Sequence, residues 1–159
     1  MQICVISGSP KGEKSVTLQY VRFLEQAFPE HTFSVAHVGR EIRTIEQQEE
    51  VWNGLLAAIK ECDGVLWATP VYCLLVPAQL KRFIELVGDR NAMETFSGKY
   101  TAALTTSIHY FDHTAHAYLH GVRSNLSSSS PISWRRLQNS DRSGRSSHCY
   151  PQSRPIISQ

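Results

Sequence analysis

The chain has 159 residues, of which 42% are hydrophobic and 19% charged, a composition typical of one soluble globular domain. Its first ten residues do not combine a basic segment with an apolar one, and no apolar run approaches the roughly 20 residues that span a bilayer. We therefore expect neither secretion nor a membrane partner. The four cysteines are scattered without a C-x-x-C pair, which predicts reduced thiols in the cytoplasm and no cysteine-rich metal site.

The net charge of +2 averages two unlike segments. Residues 1–122 carry ten Lys and Arg against thirteen Asp and Glu, whereas residues 123–159 carry six Arg and one Asp. Because the first segment is mildly acidic, no nucleic-acid partner is expected. The second contains twelve serines and no apolar periodicity. We predict one folded domain over residues 1–122, followed by an atypical Ser/Arg-rich segment over residues 123–159 that is either disordered or out of frame.

Strand and helix signals alternate along residues 1–122, since short apolar runs predict strands and apolar residues at helical spacing predict helices. In chain order they predict a strand at Gln2–Ser7, a helix at Val16–Phe28, a strand at Thr32–Val38, a helix at Ile45–Glu61, a strand at Val65–Thr69, a helix at Pro77–Val87, a strand at Tyr100–Thr106 and a helix from Asp112 to about Leu119. This alternation predicts an α/β fold, a three-layer sandwich whose parallel sheet is covered on both faces. A doubly wound sheet normally has a fifth strand, which is expected to be absent or replaced here.

The loop from Gly8 to Thr17 reads Gly-Ser-Pro-Lys-Gly-Glu-Lys-Ser-Val-Thr and joins the first predicted strand to the first predicted helix. Its glycines let backbone N–H groups approach an anion, its hydroxyls add donors, and the helix N-terminus adds partial positive charge. The glycine spacing matches neither G-x-x-x-x-G-K-S/T nor G-x-G-x-x-G. The loop therefore predicts an anion site, and an ordinary connection between strand and helix is the alternative.

Two further loops follow the third and fourth strands, over residues 69–81 and 105–111. Right-handed crossovers bring the loops that follow parallel strands to one carboxyl edge of the sheet. We therefore expect all three loops to meet there and to form one ligand site.

These three segments resemble those of the flavodoxin-like NAD(P)H-dependent FMN reductases, and especially the flavodoxin-fold part of the iron–sulfur flavoproteins. The resemblance covers about residues 1–122. It rests on the Gly-Ser-Pro-Lys loop, on Thr-Pro-Val-Tyr followed by Pro-Ala-Gln-Leu-Lys-Arg-Phe-Ile-Glu, and on Gly-Lys-Tyr-Thr-Ala-Ala-Leu-Thr-Thr-Ser. It implies a flavodoxin-like sheet of order 2-1-3-4 and an oxidoreductase that passes electrons from NAD(P)H through FMN to a quinone, a flavin or another small acceptor. It also implies a homodimer.

The resemblance assigns FMN contacts by position. Contacts to the phosphate fall to Ser9, Lys11, Ser15 and Thr17; one side of the isoalloxazine falls to Pro70, Val71, Tyr72 and Cys73, and the other to Thr106, Ser107 and Tyr110. Val16 stands where the family often has Asn, so one side-chain donor is missing. No catalytic acid or base is assigned, and the candidates are Tyr72 and His109. Residues 39–46 lack the cysteines that hold an iron–sulfur cluster in those relatives, so no such cluster is expected.

Several alternatives stay open at this stage. Tyr72 could be a half-buried core aromatic, and Cys73 could be a small packing residue rather than a redox thiol. His109, His113, His116 and His120 could share a helical face and ligate zinc, although a polar helix face explains them as well and no metal is predicted. Besides a reductase, the chain could be a non-enzymatic electron carrier or an incomplete relative that has lost flavin binding.

Overall fold

The strands and helices largely follow the predicted alternation. The computed structural model describes residues 1–108 and 112–127. The strands are β1 (Gln2–Ser7), β2 (Thr32–Ala36), β3 (Gly64–Pro70) and β4 (Tyr100–Thr106), and the helices are α1 (Val16–Ala27), α2 (Val38–Gln47), α3 (Glu49–Glu61), α4 (Ala78–Asp89) and α5 (His113–Ser127). Short 3-10 helices lie at Gly12–Lys14 and Met93–Phe96.

The four strands of the described chain pair in parallel in the order β2-β1-β3-β4. In the register of this sheet, Ile3 of β1 lies opposite both Phe33 of β2 and Gly64 of β3. The predicted α/β fold and strand order are confirmed. The loops after β1, β3 and β4 consequently lie at the same carboxyl edge, the usual position of ligand sites in such sheets.

The sheet separates two hydrophobic clusters, so both of its faces are covered. The larger cluster lies on the side of α2 to α5 and contains a set of aromatic contacts. The ring of Trp67 stacks on that of Phe96, with centroids 5.9 Å apart, and the ring of Phe83 tilts against both Trp67 and Trp52. The smaller cluster lies on the side of α1 and comprises Val5, Leu18, Val21, Leu66 and Ala68.

The region after β2 differs from the prediction. The second strand ends at Ala36, whereas it was predicted to reach Val38, and Val38 begins a helix that was not predicted. Val38, Ile42 and Ile45 are buried at positions i, i+4 and i+7, so they form the apolar stripe of α2. The single helix predicted over residues 45–61 is wrong, because Gln48 takes an extended conformation and separates α2 from α3.

Helix α5 is longer than predicted. It continues past Leu119 to Ser127, because Val122 and Leu126 extend its buried stripe by two turns. The predicted boundary at residue 122 therefore falls inside a helix, and the remainder of the atypical segment, residues 128–159, lies outside the described residues. None of the helices within residues 1–108 and 112–127 is long and apolar enough to cross a membrane.

The loop after β1 packs closely against the start of α2. A Cβ atom on Gly39 would lie 2.4 Å from the carbonyl oxygen of Gly8, and one on Gly8 would lie 2.6 Å from Oγ1 of Thr69. Only glycine permits these approaches, because any side chain would push the backbones apart. The two glycines thus set the position of the loop relative to α2 and β3.

We expect Gly39→Ala to lower the free energy of unfolding by about 1–3 kcal/mol, because its new methyl carbon meets backbone rather than a movable side chain. Denaturant titration of the full chain measures this change. Gly54→Ala is the matched control, since Gly54 lies within α3 and an added Cβ would have nothing within 4 Å. The control should gain roughly 1 kcal/mol from helix propensity. Equal stabilities of the two variants would contradict the described packing.

Candidate active site

The three loops at the carboxyl edge line one cleft with a volume of about 720 Å³. Ten of the eleven predicted site residues line it: Ser9, Lys11, Ser15, Thr17, Pro70, Val71, Tyr72, Cys73, Thr106 and Ser107. Tyr110, and the candidate residue His109, lie outside the described residues. The structure therefore brings together, in one concave site, residues that the sequence separates by almost a hundred positions.

Four further residues line the cleft: Lys14, Val16, Leu74 and Ile108. Lys14 could have been found in the sequence, because it shares with Lys11 the loop from Gly8 to Thr17, called here the phosphate-type loop. Leu74 and Ile108 carry no chemical signal, since an aliphatic residue in a loop can equally lie in the core. They are 51% and 96% exposed, which makes the wall of the cleft partly apolar.

One end of the cleft is built around the N-terminus of α1. Ser15 occupies the N-cap position, but its side chain makes no capping hydrogen bond. The first N–H groups of a helix have no acceptor within the helix, so those of Val16 and Thr17 remain available to a ligand. The partial positive charge of the 12-residue helix adds to these donors. This end of the cleft is therefore suited to an anion.

Side chains around the helix N-terminus reinforce its preference for an anion. The buried Ser9 hydroxyl accepts a hydrogen bond from the Lys11 N–H at 3.3 Å, which leaves the hydroxyl proton free to donate. Lys11 and Lys14 both line the cleft, whereas none of the described residues that line it is acidic. Gly12 has a φ of +55°, which permits the tight turn between the two lysines.

Thr17 has a second contact that the sequence did not predict. Its Oγ1 lies 2.6 Å from Oγ1 of Thr106, at the end of β4, and Thr17 is almost completely buried. When one hydroxyl donates to the other, the second proton of the pair remains available to a ligand. The pair thus joins α1 to β4 at the point where the anion end meets the rest of the cleft.

A tight turn forms the opposite wall. The N–H of Tyr72 donates to the carbonyl of Leu75 at 2.7 Å, and the N–H of Leu75 donates back at 3.1 Å. Cys73 and Leu74 both have positive φ values, 46° and 74°, so this is a type I′ turn built without glycine or asparagine. Positive φ is unfavourable for leucine, so backbone strain is stored beside the cleft.

Tyr72 and Cys73 are exposed at the cleft, whereas the two other described cysteines are buried. Tyr72 is 43% exposed and Cys73 is exposed, so the interpretations of these two residues as core or packing residues are wrong. Cys4 and Cys62 are buried free thiols. Burial raises the pKa of the Cys4 thiol to about 12, so Cys4 stays protonated and unreactive at neutral pH.

The described histidines do not form a metal centre. Nε2 of His116 lies 2.8 Å from Oγ1 of Thr105, a hydrogen bond between α5 and the end of β4. Within residues 1–108 and 112–127, no group of three or more His, Cys, Asp and Glu side chains could hold a metal ion. His109 lies outside these residues.

A family model described as NADPH-dependent FMN reductase matches residues 1–126. The chain belongs to this family. It is therefore an FMN-dependent oxidoreductase that takes electrons from a reduced nicotinamide nucleotide, and the prediction from the sequence is confirmed. The match extends four residues beyond the predicted limit of 122 and ends one residue before the end of α5.

Several solved structures share the fold of this reductase. One is FerB, an NAD(P)H:acceptor oxidoreductase from Paracoccus denitrificans, with a TM-score of 0.66 and 21% identity, and the match covers 79% of this chain and 72% of FerB. The NADH:FMN oxidoreductase EmoB matches with a TM-score of 0.62 and 22% identity, and the match covers 79% of this chain and 68% of EmoB. RosB, solved with bound 8-demethyl-8-formylriboflavin-5′-phosphate, matches with a TM-score of 0.66 and 14% identity, and the match covers 81% of this chain and 61% of RosB. No curated protein matches the chain by sequence comparison.

The strained turn leads to a test on two variants of one residue. Leu74→Gly and Leu74→Ala both remove the exposed aliphatic side chain, but only glycine relieves the backbone strain that a φ of 74° imposes on a residue with a Cβ atom. We expect the glycine variant to be more stable than the alanine variant by about 1 kcal/mol, the cost of the left-handed conformation for a residue with a Cβ atom. Denaturant titration of both variants measures the difference. A more stable alanine variant would show that the turn does not have this geometry.

Proposed function

We propose that the cleft holds FMN, with the phosphate at the loop of residues 9–17 and the isoalloxazine between the loops of residues 70–74 and 106–108. The observation that carries this assignment is the uncapped N-terminus of α1 at one end of a cleft of about 720 Å³, a volume within the usual range for cofactor sites. When bound, FMN would accept a hydride from the nicotinamide and pass the electrons to an acceptor.

Each part of the loop has a distinct role toward the phosphate. The N–H groups at the start of α1 and the hydroxyls of Ser9 and Ser15 donate hydrogen bonds, while Lys11 and Lys14 supply two positive charges against a dianion. A lysine contributes as a point charge and lacks the bidentate fork of arginine. Val16 is 57% exposed beside these groups, and its side chain contributes no donor.

The other end of the cleft suits a planar ring. Tyr72, Leu74 and Ile108 expose apolar surface along its wall, and such surface favours contact with the faces of an aromatic system. Within the described chain, the N–H groups of Cys73 and Leu74 at the tip of the turn donate to no backbone carbonyl. They are thus available to the polar edge of the ring. A small planar acceptor, such as a quinone or a flavin, would use the same open wall.

An absorbance spectrum and a kinetic assay of the purified full chain test this function. We expect the purified or FMN-reconstituted chain to show flavin absorbance and to oxidise NADPH in the presence of a quinone. Protein that binds FMN but does not oxidise NADPH or NADH would instead support the electron-carrier alternative. Protein that neither contains nor binds FMN would contradict the proposed site and support the incomplete-relative alternative.

The two lysines of the loop provide a prediction for affinity. We expect Lys11→Gln and Lys14→Gln each to raise the dissociation constant for FMN by about tenfold, since a hydrogen bond to a charged group contributes about 1.5 kcal/mol or more. Quenching of FMN fluorescence on titration measures the constant. Lys60→Gln is the control, because Lys60 is exposed on α3 and does not line the cleft. Unchanged affinity in both loop variants would place the phosphate elsewhere.

We also propose that the protein is a homodimer in the cytoplasm. Val16, Tyr20 and Phe23 lie at positions i, i+4 and i+7 on α1 and are 57%, 55% and 65% exposed, so an apolar stripe runs from the cleft along the helix surface. Contiguous exposed apolar surface is typical of protein interfaces. Three free cysteines among the described residues fit a reducing compartment.

Substitution within the stripe tests the homodimer. We expect the wild-type chain to elute as a dimer in size-exclusion chromatography with light scattering, and Phe23→Glu to elute as a monomer because it buries a charge in the interface. Asn53→Glu places the same charge at an exposed position of α3, on the other side of the sheet from α1, and should leave the dimer intact. A monomeric wild-type chain would contradict the proposal directly.

A further inference from the structure

An acidic residue, Glu13, lies between the two lysines of the loop proposed to bind phosphate. A carboxylate at this position would repel a dianion if it faced the ligand. Glu13 is not among the residues that line the cleft, although Lys11 and Lys14 on either side of it are. Its side chain points instead toward the helices on both sides of the loop.

Both carboxylate oxygens of Glu13 are paired. Oε1 lies 2.9 Å from Nε2 of His37, and Oε2 accepts a hydrogen bond from Arg22. Arg22 lies in the middle of α1. His37 precedes α2, and its carbonyl accepts the N–H groups of Arg40 and Glu41 in the first turn of that helix. One side chain therefore connects the loop to α1 and to the start of α2.

The loop has few other connections over the same residues. Its short 3-10 helix is closed by Gly12 N–H to Ser9 carbonyl at 3.4 Å and by Ser15 N–H to Gly12 carbonyl at 2.9 Å. Gly12, at a φ of +55°, adds conformational freedom in the unbound loop. A loop that must be ordered when the ligand binds loses affinity through entropy, whereas a loop that is already ordered does not.

We infer that Glu13 is a positioning residue that holds the loop in its phosphate-binding conformation through Arg22 and His37. This inference rests on the proposed function, since it needs the phosphate of FMN at this loop. The pairing also places the negative charge of Glu13 against the Arg22 guanidinium and the His37 imidazole rather than against the ligand. Arg40, whose side chain lies against Gly12, adds a further positive charge on the same side of the loop.

A positioning role of Glu13 and a simple charge effect predict opposite changes in FMN affinity for Glu13→Gln. If Glu13 acted only through its charge, Glu13→Gln would remove a repulsion and tighten FMN binding. If Glu13 positions the loop, the same variant weakens the connections to Arg22 and His37 and loosens FMN binding. Riboflavin, which lacks the phosphate, separates an effect on the loop from general damage to the cleft.

Fluorescence titration of the full chain with FMN and with riboflavin provides the test. We expect Glu13→Gln to raise the FMN dissociation constant by about fivefold, an effect in the upper range of exposed ion pairs, and to leave the riboflavin constant unchanged. Arg22→Gln should act in the same direction, and the double variant should bind FMN no more weakly than Glu13→Gln alone. Glu25→Gln is the control, because Glu25 is exposed on α1 and outside the cleft.

Three results would overturn the inference alone: tighter or unchanged FMN binding by Glu13→Gln, equal weakening for both ligands, or Arg22→Gln without effect. Arg22 is 54% exposed, so its variant tests the connection even if Glu13→Gln folds poorly. Wild-type protein that binds FMN no more tightly than riboflavin would instead overturn the proposed phosphate site, and the inference with it. The two failures are thus distinguishable in one data set.

Discussion

The structure depends on the close approach of three backbone segments around Gly8. The N–H of Gly8 donates to the carbonyl of Ala68 at 2.9 Å, which continues the pairing of β1 with β3 by one residue. On the other side, the start of α2 at Gly39 lies against the carbonyl of Gly8. These contacts leave no room for side chains, so the end of β1, the end of β3 and the start of α2 hold one another in place. The position of the phosphate-type loop, and hence of the anion end of the cleft, follows from them.

The site combines the close backbone contacts around Gly8 with features that lower the stability of the folded chain. Ser15 makes no side-chain capping bond, so α1 forgoes a stabilising cap and keeps its first N–H groups for a ligand. Two lysines lie close together in one loop, and Leu74 holds a φ of 74° in the turn across the cleft. Each feature is unfavourable for the chain alone, and in the proposed complex each would contribute to binding FMN. The aromatic contacts of Trp67 lie on the face of the sheet opposite α1 and contribute stability that offsets these unfavourable features.

The sequence was sufficient for β1 and β3, because both are nearly continuous apolar runs that are too short for a buried helix. It was also sufficient for β4, which contains a tyrosine and three threonines, residue types that favour strands. It failed for α2, because Val38 was assigned to the preceding strand and Ile45 to the following helix, although Val38, Ile42 and Ile45 have helical spacing. It also missed the last two turns of α5, because Val122 and Leu126 stand among serine and asparagine residues, which do not favour a helix. In both helices tertiary burial of a few aliphatic side chains outweighs weak local propensity.

The residues of the sequence alone determined the chemistry available to this protein: an anion-binding loop, a hydroxyl-rich end after β4, and motifs similar to those of FMN reductases. Their types and spacing carry that information locally. Only the tertiary structure decided that Leu74 and Ile108 line the cleft, and that Glu13 turns away from it toward Arg22 and His37. The direction of a side chain in a loop depends on contacts with helices distant in sequence, and those contacts exist only once the sheet has brought the segments together.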